Sequence, residues 1–182
     1  MSAATKQMTL DDYARFAENG RYEFVDGALL ERKMSNKSSG VGGRIFALLL
    51  DFSRRHGRGS ARPDNTAYRC FPGDPTRVRK PDVSWIAAAR WSPSLLDSTY
   101  IEIAPDLVVE VVSPNDRAAY LRRKVKHFFE AGTQEAWIVF PDDQSVERHF
   151  PNAPPRTYSG DEPFDASPLI PGFTWKLADV LE

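Results

Sequence analysis

The run Leu107-Val108-Val109-Glu110-Val111-Val112 is apolar and β-branched at both alternating sets of positions, the pattern of a central strand covered on both faces, and one carboxylate interrupts it. Burying an unpaired carboxylate among valines costs several kcal/mol unless it is neutralised, hydrogen-bonded or bound to metal. Glu110 therefore requires a partner. Asp82 follows Pro81 at the head of Val83-Ser84-Trp85-Ile86, a second strand able to lie beside the first. Two carboxylates brought together repel, and a hard divalent cation with oxygen preference, magnesium before others, resolves that repulsion. Two purely structural alternatives stand beside this reading: Asp82 capping a strand entry or pairing with Arg79, and Glu110 in a buried ion pair with a lysine.

A cation is supplied by the segment that follows. With Leu121 at zero and about 100° per residue, Val125 falls near about 40°, Phe128 near about −20° and Phe129 near about 80°, which defines a buried helix face. Lys124, at about −60°, sits on the edge of that face, whereas Arg123 and Lys126, at about 200° and 140°, point away. The Lys124 ammonium is thus placed to reach Glu110 or a substrate phosphate. Its alternative is a lysine that snorkels from the core edge.

These residues need a scaffold. Ser113-Pro114-Asn115-Asp116 ends the first strand and offers helix caps, residues 117–131 have helical spacing up to Gly132, and Ala136 to Phe140 is a second buried strand. Strand, helix, strand is a βαβ unit, with parallel strands and a right-handed crossover expected. Upstream, Thr9 and Asp12 begin a capped helix that ends near Gly20, and residues 21–25 and 28–32 flank Asp26-Gly27, a hairpin signature with Glu23 on its first strand. A buried helix is expected over Gly43–Arg55. Ala67–Phe71 and Val78–Ile86 flank the turn Pro72-Gly73-Asp74-Pro75 and read as a strand pair. The tail from Pro141 is Pro-rich and acidic, with a strand near 145–150 and a short helix after Trp175.

Composition narrows the function classes. A chain of 182 residues with 41% apolar and 27% charged residues is an ordinary globular one, read as one domain over 1–182. The net charge of −1 excludes a globally basic, histone-like protein, but charge is segregated: residues 44–80 carry nine bases against three acids, and 117–127 carry five bases and no acid. That distribution suggests a basic face for a polyanion. The single cysteine, Cys70, provides neither a disulfide nor a thiolate zinc site, and no apolar segment reaches membrane-spanning length, so a cytoplasmic protein without membrane attachment is expected. Gly40-Val41-Gly42-Gly43-Arg44-Ile45 lacks the third glycine of a dinucleotide loop, no P-loop or nucleophile elbow is present, and His56, His127 and His149 lack metal-ligand spacing.

Several blocks, taken in order, resemble the Uma2 family of restriction-endonuclease-like proteins: Tyr22-Glu23-Phe24-Val25-Asp26-Gly27, Lys80-Pro81-Asp82-Val83-Ser84, Pro105 to Pro114, Lys124 with Gly132 and Glu135-Ala136-Trp137, and Pro171-Gly172-Phe173. The resemblance covers about residues 8 to 181. It implies the PD-(D/E)XK nuclease superfamily: a mixed α/β fold with a central mixed β-sheet flanked by helices and an N-terminal β-hairpin extension, and Mg2+-dependent hydrolysis of phosphodiester bonds, with Mn2+ as a substitute. By the same resemblance Asp82 is the aspartate of the PD motif and Glu110 the acid of the E-x-K motif. The lysine position of that motif is Val112, so the lysine is supplied from the next helix by Lys124. The implied metal set is Asp82, Glu110 and the Val111 carbonyl, and Glu23 is an additional early acid that orients Lys124 or a second metal through water. The implied partner is nucleic acid, DNA first, with a homodimer suited to cutting both strands. Family members commonly carry a histidine shortly before the first long helix, where this chain has Ser38 to Gly43, and often an aromatic before the tryptophan, where it has Ala136. A catalytically inactive nucleic-acid-binding or assembly module, and a hydrolase of another phosphate compound, are the competing readings.

Overall fold

A computed structural model describes residues 8–17, 22–114 and 117–181. Its elements are α1 (Leu10–Ala17), β1 (Tyr22–Val25), β2 (Ala28–Glu31), α2 (Asn36–His56), β3 (Gly59–Arg62), β4 (Val83–Ala87), β5 (Leu107–Val111), α3 (Ala118–Glu130), β6 (Glu135–Phe140), β7 (Ser145–Phe150), β8 (Ala153–Ser159), β9 (Phe164–Asp165) and β10 (Thr174–Trp175). β3 to β8 form one six-stranded sheet in sequential order, and β1–β2 and β9–β10 are separate two-stranded ribbons. Within the large sheet β5 and β6 run parallel and the other neighbours antiparallel.

The βαβ unit forms because both of its strands are buried along their length and α3 presents one apolar stripe. All five residues of β5 are buried. Leu107, Val109 and Val111 face α2 through Val41, Ile45 and Leu49, while Val108 faces Val125 and Phe128 of α3. A strand's alternation then dictates that Glu110, two residues after Val108, faces α3. Asp106 knits the unit's entrance: its carboxylate accepts from Ala87 N at 2.8 Å and Arg90 Nη1 at 2.7 Å, and its carbonyl from Gln134 N at 3.0 Å.

The hairpin and caps follow their local signals. Asp26 and Gly27 have φ of 52° and 75°, the two positive values that a tight β1–β2 connection requires. Thr9 and Asp12 exchange capping hydrogen bonds at α1. Gly20, expected to end that helix, and the capping Asn115 and Asp116 lie outside the described residues.

Three expectations need correction. The long helix α2 starts at Asn36 rather than near Gly43, so its glycines are helical. Ser35 and Ser38 form a capping box, and Ser38 Oγ and Ser113 Oγ lie 2.7 Å apart, so capping and docking on the end of β5 outweigh the low helix propensity of glycine. Residues 67–71 and 78–82 do not pair as a ladder. Tyr68 and Arg79 make one bridge, while the neighbouring Val78 pairs backbone with Phe24 of the hairpin. Pro72, Pro75 and Pro81 lack the N–H groups a continued ladder would need. The acidic tail holds β8, which the sequence reading missed. As an edge strand it tolerates Pro154 and Pro155, since one of its sides has no partner strand among the described residues. The tail also closes the α2 face: Phe164, Phe173 and Trp175 gather around Trp137, with the Trp137–Phe164 ring centroids 4.7 Å apart.

Candidate active site

β4 and β5 pair antiparallel with Val83 opposite Val109, so Asp82 and Glu110 are the next positions facing each other beyond the ladder. Side chains so placed on neighbouring strands have Cβ atoms about 4.5–5.5 Å apart. The Asp82 carboxylate bends back onto β5 and accepts a hydrogen bond from Val111 N at 2.7 Å through Oδ2. Both acids, with Val111, Lys124, Tyr120 and Arg32, line one cavity of about 290 Å³.

Lys124 comes up from α3 and is 2% exposed. Its Nζ donates to Glu110 Oε2 at 2.9 Å and to the Lys80 carbonyl at 2.7 Å, and lies 2.8 Å from Glu110 Oε1 and 3.0 Å from Glu23 Oε1. The buried lysine partner that one sequence alternative required of Glu110 is therefore present, and it is Lys124. The 2.8 Å approach to Oε1 is electrostatic only: Oε1 is buried and accepts no hydrogen bond from the protein. Arg79 does not pair with Asp82. Its Nη1 donates to Glu23 Oε2 at 2.7 Å, and its Nη2 lies 3.0 Å from His127 Nδ1.

Glu23, fully buried, is the best-satisfied acid. It takes Arg79, Lys124, the Lys80 amide at 2.8 Å and the Tyr120 hydroxyl. Burial works to raise its pKa, but Lys124, Arg79 and these hydrogen bonds overcome it and hold the carboxyl down at about 2. Glu110 goes the other way. Burial, aided by the negative charges of Asp82 and Glu23, pushes it up to about 8 against the pull of Lys124. Lys124 itself is shifted upward, its two carboxylates outweighing burial, and stays charged. One acid is thus fixed as an anion, and the other can take a proton near neutral pH.

The structure brings together Glu23, Asp82, Glu110 and Lys124, the four residues expected from the sequence, and adds Arg32 and Tyr120. Arg32 Nη2 donates to Asp82 Oδ1 at 2.8 Å. It follows β2 in the alternation that begins at Leu30, the β-partner of Glu23, and that period of two was the available signal. Tyr120 lies one helical turn before Lys124, about 40° from it on the wheel, so extending the same angular construction one turn upstream was the available signal. Among the described residues no group of three or more His, Cys, Asp or Glu side chains is arranged to hold a metal.

The basic segments divide. Arg79 and Lys80 are buried and Arg77 is nearly so, so residues 77–80 serve the interior. Arg54, Arg55 and Arg58 lie at or just past the far end of α2, roughly 30 Å along the helix from its Ser35 cap. The exposed bases that line the cavity are Lys33 and Arg117. Among the described residues no helix is long and apolar enough to cross a membrane.

Comparison with known proteins agrees with this architecture. The crystal structure of a nuclease, described as putative and belonging to DUF820, from Anabaena variabilis superposes with a TM-score of 0.80. It is 19% identical, with 95% of this chain and 97% of that chain covered, a likeness of fold. No curated protein matches the chain. The Uma2 family model, described as "Putative restriction endonuclease", matches residues 10–179, so nearly the whole chain is accounted for, and the protein belongs to the Uma2 family.

Proposed function

We propose that this protein is a metal-dependent endonuclease that hydrolyses phosphodiester bonds in nucleic acid, DNA being the expected polymer, at the cavity between β4, β5 and α3. The observation that carries the reading is the buried meeting of Asp82, Glu110 and Lys124 in one cavity. Glu110 Oε1 there accepts no hydrogen bond, although the Lys124 ammonium lies 2.8 Å from it.

That donor set suits a hard cation: two carboxylates, with the Val111 carbonyl as third oxygen, would hold Mg2+, or Mn2+ in its place. When bound, the ion supplies Lewis acidity toward a phosphoryl oxygen and lowers the pKa of a coordinated water. Lys124 provides fixed positive charge where negative charge builds on the phosphate. Its Nζ donates to Glu110 and to the Lys80 carbonyl and is ion-paired with Glu23, so it reaches a phosphate by giving up one of these contacts. Glu23, locked by Arg79 and Tyr120, is a positioning residue that keeps the ammonium charged and aimed. Lys33 and Arg117 at the rim meet flanking phosphates.

The test is nicking of supercoiled plasmid and of single-stranded DNA and RNA with Mg2+ or Mn2+, comparing wild type with Asp82→Asn and Glu110→Gln. Cutting by wild type and its loss in both variants is expected; full cutting by both variants would remove these acids from the chemistry. The second reading, a non-cutting nucleic-acid-binding module, is favoured by one observation: Asp82 and Glu110 already have cationic partners in Arg32 and Lys124. It requires DNA bound in EDTA and left intact with Mg2+.

A further inference from the structure

The buried acids at this cavity and behind it are already matched by cations. Glu23 faces Arg79 and Lys124, Glu110 faces Lys124, and Asp82 faces Arg32, three carboxylates against three internal positive charges. Of these cations Arg32 is the one on Asp82. Its side chain is 7% exposed, and it donates to Asp82 Oδ1 and to the Asp64 carbonyl, each at 2.8 Å. A second carboxylate is within reach, with Asp64 Oδ2 4.0 Å from Arg32 Nη1 and that side chain 48% exposed. Lys33 and Met34, the residues that follow Arg32, are exposed at the cavity rim, so the strap carrying Arg32 is not packed on both sides.

A carboxylate oxygen offers two lone-pair positions, so Arg32 and a metal ion do not compete for space at Asp82 so much as for charge. A guanidinium and a divalent cation on the same carboxylate repel strongly in a buried setting. We propose that Arg32 is the counter-ion of Asp82 in the metal-free protein, that it leaves Asp82 for Asp64 when a divalent cation binds, and that its presence sets the metal affinity of the site. The inference rests on the reading of Asp82 and Glu110 as the metal acids. In the metal-free state Arg32 keeps Asp82 from being a lone buried anion beside Glu110, and once displaced onto the half-exposed Asp64 it holds positive charge at the mouth where a phosphodiester enters.

The test is Mn2+ binding to the full-length protein by electron paramagnetic resonance and calorimetry, for wild type, Arg32→Gln, Arg32→Lys, and Asp82→Asn in the wild-type and Arg32→Gln backgrounds. Arg32→Gln should bind Mn2+ tighter by on the order of 10-fold, because it removes the guanidinium's repulsion of the ion, and Arg32→Lys should stay near wild type because it keeps the charge. Arg32→Gln binding no tighter than wild type, while Asp82→Asn abolishes binding, would overturn the role of Arg32 and leave the metal acids standing. Binding unaffected by Asp82→Asn in both backgrounds would overturn the metal acids themselves. A measurement on wild type alone guards against a variant that does not fold. In 15N-arginine-labelled protein the Arg32 guanidinium signals should shift and lose their hydrogen-exchange protection on Mg2+ titration, and signals that stay fixed at saturating Mg2+ would refute the displacement.

Discussion

Replacing Lys124 by Met removes the one hydrogen-bond and ion-pair partner that Glu110 has among the described residues, while Glu23 keeps Arg79, the Lys80 amide and Tyr120. Breaking a buried pair in this way costs about 3 kcal/mol or more. The pH dependence is the sharper test. A carboxyl whose folded pKa is raised, here to about 8 from 4.5, binds more protons folded than unfolded, so its favourable contribution is present below 4.5 and is lost as pH climbs to 8. That slope is shared by wild type and Lys124→Met. Above pH 8 they part: wild-type Glu110 is ionised beside a charged Lys124 and its contribution is flat, whereas in the variant it holds its proton to higher pH and stability keeps falling at about 1.4 kcal/mol per pH unit. The gap between the two proteins should therefore widen by roughly 2 kcal/mol between pH 8 and 9.5. Urea unfolding in EDTA, followed by fluorescence of the buried Trp85 and Trp137, measures it. Glu110→Gln added to Lys124→Met should abolish the widening. A gap that is the same at pH 7.5 and 9.5 would mean that Glu110 is not a desolvated acid held by Lys124.

Other outcomes follow from the same geometry. Lys33→Ala and Arg117→Ala should each lower the slope of log Kobs against log salt for duplex binding in EDTA by about 1, and Arg54→Ala, at the far end of α2, should leave it unchanged. His127 is held neutral, its pKa pulled down to about 4 by burial and by the charges of Arg79 and Arg77, so its contribution is intact above pH 6.5 and lost as pH falls from 6.5 toward 4. His127→Asn should remove that part of the acid limb in thermal unfolding scans. Gly59 has φ of 146°, and a Cβ there would stand 2.3 Å from the Ile86 carbonyl oxygen, so Gly59→Ala should cost more than about 2 kcal/mol in urea unfolding.

Much of the site could be read before the fold was known, for a local reason. Leu107 to Phe140 carries its own punctuation: two runs apolar on both faces, a helix with one apolar stripe, and Gly132, whose φ of 105° turns the chain back. Within such a unit the positions of Glu110 and Lys124 follow from alternation and angle, and Asp82 follows from the demand of a buried acid for company. The resemblance to a family placed Glu23, which periodicity alone could set only on a hairpin.

What the sequence could not decide was which charges go inside. Arg79 and Lys80 count toward a basic segment in the chain, yet they are buried and serve Glu23, because the β1–β2 hairpin docks on Val78 and takes their neighbourhood out of water. The same docking delivers Arg32 to Asp82, a contact between residues 50 positions apart. The start of α2 likewise depends on a serine from beyond β5, and the strand expected at 67–71 was lost to competition for the backbone of Val78 and Arg79. Periodicity reports which face of an element is apolar, whereas the partner of a buried charge is chosen by desolvation, and that acts only once distant segments have closed over it.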